Sequence, residues 1–130
     1  MYEQLSTRLE LLGKEVVDVA FKVHKELGPG LLESVYERCF CYELTRRDIE
    51  YTSQQYIDIV YDGALLVEKG LKVDILVEEA IVVELKAQEI AHSIWQAQLL
   101  SYLRLCNKKL GYLINFHVPL IKNGIKRVIL

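Results

Sequence analysis

Two acidic residues and a lysine interrupt apolar runs where a packed core has no use for charge. Asp74 stands within Lys72-Val73-Asp74-Ile75-Leu76-Val77. Glu84 and Lys86 stand within Ile81-Val82-Val83-Glu84-Leu85-Lys86-Ala87. Both runs, apolar and β-branched, read as buried strands. Side chains two apart on a strand share a face, so Glu84 and Lys86 lie side by side while Leu85 faces the other way. Charges so placed destabilise a strand unless something pairs with them. One explanation is a buried Glu84–Lys86 ion pair that balances itself. The other is chemical. Glu78-Glu79 reads as a short turn between the runs, so the strands pair antiparallel and Asp74 approaches Glu84 across the ladder. Two carboxylates that close repel unless a cation bridges them or one is protonated. Their hard oxygens suit Mg²⁺, with Mn²⁺ as a substitute. A lysine beside them can orient an attacking water or offset charge on a phosphate. The pattern is that of a metal-assisted hydrolytic site.

The elements that must position these residues follow from periodicity. Leu5 to Leu27 reads as a helix, with Val16, Ala20, Val23 and Leu27 at helical spacing, stopped by Gly28-Pro29-Gly30. A second helix runs from about Leu32 to Arg47 on the stripe Val35, Tyr36, Cys39, Phe40 and Leu44. Alternation begins at Tyr51. Tyr56 to Tyr61 reads as a strand, Asp62-Gly63 as a hairpin turn, Ala64 to Val67 as its return, and Leu71 to Val77 as a further strand. Ala80 to Ala87 is the strand carrying Glu84. A third helix spans Ile90 to Leu105, followed by strands at Leu110 to Phe116 and Ile125 to Leu130. The order is helix, helix, strands, helix, strands. This predicts an α/β fold with a mixed central β-sheet flanked by helices.

Other residues are candidates by placement. Gln98 and Tyr102, four apart on the third helix, share a face that can reach the end of the Glu84 strand. Taken alone, that spacing reads by default as an ordinary helix surface. Glu33 opens the second helix, where a carboxylate suits the helix dipole. It can also serve as a further acid at the metal site, with Tyr36 one turn on. His24 reads as a partly buried histidine that can lie near Glu33.

Length and composition bound the rest. At 130 residues the chain is one domain, residues 1–130, with 52% hydrophobic and 26% charged residues. No apolar run approaches the roughly 20 residues that span a bilayer. Met1-Tyr2-Glu3-Gln4 lacks the basic and apolar regions of a secretory leader. The three cysteines, Cys39, Cys41 and Cys106, show no zinc-type spacing and suit a reduced, cytoplasmic protein. The net charge of −2 hides an asymmetry. No acid follows Glu89, and the last 41 residues carry six basic ones. That split marks either a phosphate-facing end or solvated lysines that guard strand edges. The apolar strand Ile125 to Leu130 offers an edge to a second copy, a homodimer.

The segment Gly30-Leu31-Leu32-Glu33-Ser34-Val35-Tyr36 resembles the signature of the GxxExxY proteins, placed in the PD-(D/E)XK nuclease superfamily. The resemblance extends through Val23 to Gly30, Val73-Asp74-Ile75-Leu76-Val77, Val83-Glu84-Leu85-Lys86-Ala87, Ala97 to Leu103 and Gly111 to Phe116. It implies a restriction-endonuclease-like core and a Mg²⁺-dependent nuclease acting on nucleic acid, with DNA as the expected substrate. By it, Glu33, Asp74, Glu84 and Lys86 take the acidic and lysine positions of the site. The backbone carbonyl of Leu85 joins the metal ligands, and Gln98 and Tyr102 form a supporting helix motif. A nuclease-fold module that binds nucleic acid or a partner protein without cutting is the alternative.

Overall fold

The computed structural model describes residues 5–130; the reading of Met1 to Gln4 lies outside the described residues. Helix α1, Thr7–Leu27, starts where the Ser6 hydroxyl accepts the Leu9 N–H at 3.1 Å. It ends at Gly28, whose φ of 70° favours glycine and whose N–H donates to His24 O. Helix α2, Glu33–Arg46, buries Tyr36, Phe40, Cys41 and Leu44. Tyr36 is a latch: its hydroxyl donates to Gly28 O at 2.6 Å and accepts the Leu31 N–H, and its ring stacks on Phe116. The loop between α1 and α2, and hence the position of Glu33, is held by that one side chain.

Five strands follow: β1 Tyr51–Tyr61, β2 Ala64–Val77, β3 Ile81–Lys86, β4 Leu110–Asn115 and β5 Ile125–Ile129. They lie in the order β1-β2-β3-β4-β5. All neighbours are antiparallel except β3 and β4, which run parallel with helix α3, Ile94–Cys106, as the crossover. Helices α1 and α2 cover one face, where Val16, Val23, Phe40 and Leu44 meet Ile75, Val83, Leu85 and Ile114. Helix α3 covers the other, where Trp95, Leu99 and Leu103 meet Val73, Val82 and Leu113. Burying each such side chain stabilises the fold by about 1.5–3 kcal/mol. The predicted α/β architecture and element order are those observed. Among the described residues no helix is long and apolar enough to cross a membrane.

Three boundaries differ from the sequence reading. Strand β1 starts at Tyr51 rather than Tyr56, because the polar stretch 52–55 also pairs with β2. Strand β2 is continuous through Gly70; a Cβ there would come within 2.7 Å of Ile59 and Val67 side chains, so glycine permits close pairing rather than breaking the strand. Helix α3 begins at Ile94, not Ile90. The buried Asn115 explains this: its Oδ1 accepts the Gln88 N–H and its Nδ2 donates to Gln88 O, tying those backbone groups to a side chain, and the chain bends at residues 89–90 before the helix.

Candidate active site

The site is built by a hairpin. The turn between β2 and β3 has Glu78 and Glu79 at φ of 51° and 54°, and the Ala80 N–H closes it onto Val77 O. Such tight turns fix register without slack. The ladder runs Val77–Ile81, Leu76–Val82, Ile75–Val83, which brings Asp74 opposite Glu84. There the backbone pairing stops and side chains take over. Asp74 Oδ2 accepts the Leu85 N–H at 2.9 Å, and Glu84 Oε1 accepts the Asp74 N–H at 3.4 Å. A strand residue directs its N–H and C=O to the same edge, so the Leu85 carbonyl is turned towards Asp74 as well.

Asp74 also marks a break in alternation. Ile75 and Val77 belong to the core under α1 and α2, whereas Leu71 and Val73 belong to the core under α3. The strand turns over at Asp74. On the neighbouring strand, Gln54 has φ of 54°, and the Gln54–Asp74 pair is skipped by the β1–β2 ladder. The Gln54 amide instead donates to the Glu37 carboxylate on α2. This irregularity frees the Asp74 side chain to reach across to β3.

Glu84 is only 7% exposed. Burial first, and the Asp74 carboxylate second, push its carboxyl up to about 9. The self-balancing ion pair with Lys86 does not form among the described contacts. The Lys86 ammonium lies over the Trp95 ring, 5.4 Å from its centroid. Glu33 stands on the first turn of α2; partial burial and then Asp74 raise its carboxyl, while Lys86 pulls the other way. Glu37, one turn on, is raised first by burial and further by Asp74, against the hydrogen bond from Gln54 and the charge of Lys72. Tyr102 is half-buried on α3, its hydroxyl raised by burial, then by Glu84 and Asp74. Gln98 is exposed one turn earlier.

The hairpin thus brings Asp74, Glu84 and Leu85 into contact, with Lys86, Glu33 and Tyr102 within electrostatic reach. Tyr36 is core rather than site. His24 is partly buried, as expected, its Nε2 2.8 Å from Val118 O. Sequence reasoning missed Glu37, Gln54 and Trp95. Only Glu37 carried a signal, its spacing of one helical turn from Glu33.

A family model described as the PD-(D/E)XK nuclease superfamily matches residues 10–128. The chain belongs to the PD-(D/E)XK nuclease superfamily. No curated protein and no solved structure matches it. In this nuclease-superfamily domain the described residues hold no ready cluster of three or more His, Cys, Asp or Glu side chains for a metal. The donor set is two carboxylates and one carbonyl. All are hard oxygens, and the Glu84 carboxyl, raised first by burial and then by Asp74, is one whose charged form a cation between the two would favour. The residues fit a divalent ion that retains several waters, as Mg²⁺ does.

Proposed function

We propose that the protein is a Mg²⁺-dependent nuclease that hydrolyses phosphodiester bonds of nucleic acid, with DNA as its substrate. The observation that carries the reading is Glu84: a carboxyl 7% exposed, unpaired with Lys86 and set against Asp74. Asp74, Glu84 and the Leu85 carbonyl are the ligands we assign to the ion, and Glu33, whose carboxyl Asp74 also raises, is the further acid we assign to the site. A bound divalent cation supplies Lewis acidity, lowering the pKa of water and offsetting charge on the phosphate. Lys86 is the group we assign to orient the attacking water and to neutralise charge on the phosphate oxygens. The water oxygen forms the new P–O bond, the ester P–O bond breaks, and the leaving oxygen takes up a proton. Tyr102, half-buried on α3, and Gln98, exposed one turn earlier, are the groups we assign to hold the substrate and its water. The GxxExxY resemblance belongs to the same reading.

Cleavage of labelled DNA tests it. Wild type cuts with Mg²⁺ and not with chelator. Glu84→Ala and Lys86→Ala each lower the rate by at least about a hundredfold while the protein stays folded. Undiminished cleavage in both variants contradicts the assignment. A second reading, a nuclease-fold module that binds without cutting, is favoured by the absence of a ready three-carboxylate cluster among the described residues. DNA binding indifferent to Mg²⁺, with no cleavage, would decide for it.

We assign a second copy of the chain as a protein partner. The free edge of β1 is the contact we favour over β5, whose exposed Lys126 and Arg127 discourage pairing.

A further inference from the structure

The geometry points to Trp95 as the positioning residue for Lys86, a role that rests on the nuclease reading above. On a strand, a lysine two residues from a buried glutamate has a stem long enough to fold back onto it. Lys86 does not: no ion pair joins it to Glu84 among the described contacts, and its ammonium sits 5.4 Å from the Trp95 ring centroid. That distance lies within the roughly 6 Å over which an ammonium is attracted to an indole face. The indole is itself fixed. Trp95 occupies the first turn of α3, is 7% exposed, and packs in the cluster of Val82, Leu99 and Leu113. The His92 ring meets it edge-on at 5.5 Å, and the Trp95 backbone N–H donates to His92 O. The first turn of α3 therefore gives the lysine a seat that is not the glutamate. Two consequences follow. Glu84 keeps its oxygens for a cation, and the ammonium is held beside the hairpin rather than consumed by an internal salt bridge.

Trp95 is the chain's one tryptophan, so intrinsic emission reports this contact directly. Lys86→Met should change the intensity or wavelength of that emission in the full-length protein, with melting curves confirming the fold. Trp95→Phe, which keeps a π face, and Trp95→Leu, which keeps only apolar bulk, are then compared in Mg²⁺-dependent DNA cleavage. Trp95→Leu is expected to lower kcat about tenfold with KM little changed, and Trp95→Phe to recover most of that loss. Emission unaffected by Lys86→Met overturns the contact, whatever the activity. Altered emission in a wild-type protein inert towards DNA overturns the nuclease reading and with it the catalytic role, but leaves the contact standing. Equal kcat in the Phe and Leu variants overturns the positioning role while the nuclease reading survives. A Leu variant that fails to fold leaves wild type against Trp95→Phe and Trp95→Tyr, where a loss in both with unchanged melting overturns the role.

Discussion

At the scale of single residues, the protein keeps a destabilising group. Glu84 is pushed up to about 9, first by burial and then by Asp74. The folded state therefore holds a proton that the unfolded chain releases near its ordinary value of 4.5. Unfolding releases that proton, so the metal-free protein loses stability as pH rises from about 4.5 towards 9, by up to about 1.4 kcal/mol per pH unit. Glu84→Gln removes the proton and the slope together. We expect it to melt higher than wild type at pH 8 in chelator and to match it more closely at pH 5. Melting curves that keep the wild-type slope in the variant would refute this account. Asp74, Glu84 and Lys86 are legible in the sequence because each is a charge inside an apolar run. Trp95 is not, because its contact with Lys86 joins the start of α3 to β3 and leaves no pattern in the sequence. Glu37 hides for a different reason: an acid on a helix face reads as solvated surface.

At the scale of elements, the site depends on two ends that must stay where they are. The β2–β3 turn sets Asp74 against Glu84, and both strands and their turn are legible from the apolar, β-branched runs and from Glu78-Glu79. The start of α3 is not, since Gln88 to Ser93 carry no breaker and the hold on them comes from Asn115, remote in sequence. Strand β3 joins the same region through Lys86 O, which accepts the Phe116 N–H at 2.9 Å. Asn115→Ala leaves both Gln88 groups without their partner. We expect a loss of about 1–3 kcal/mol in chemical denaturation and faster hydrogen exchange at the Gln88 N–H, with α1 unaffected. Wild-type exchange at Gln88 would show that the clamp is not what delays the helix. The turnover of β2 at Asp74 was equally hidden, because it depends on Gln54 adopting a left-handed backbone that glutamine rarely takes.

At the scale of the whole molecule, the charge split along the chain is partly cancelled in space. Arg127 on β5 pairs with Glu10 on α1 at 2.9 Å, so an acid from the first half neutralises a base from the last. What stays open is the β1–β2 hairpin. Tyr61 is 69% exposed, Leu66 64% and Val60 56%, on a ribbon whose outer strand has a free edge. An exposed apolar edge of that length invites pairing. Sedimentation at micromolar concentration should give a dimer, and Val60→Lys with Leu66→Lys should return it to monomer without changing the melting of the core. A wild-type monomer at the highest soluble concentration would remove the second copy from the account.

The central claim is that Asp74, Glu84 and the Leu85 carbonyl hold a divalent ion. A crystal soaked in Mn²⁺ and measured at the manganese edge tests it most directly. The account predicts one anomalous peak within bonding distance of Asp74 and Glu84, lost in Glu84→Ala. A fully soaked crystal with no peak there, or with Lys86 turned from Trp95 onto Glu84 as a closed ion pair, would contradict it.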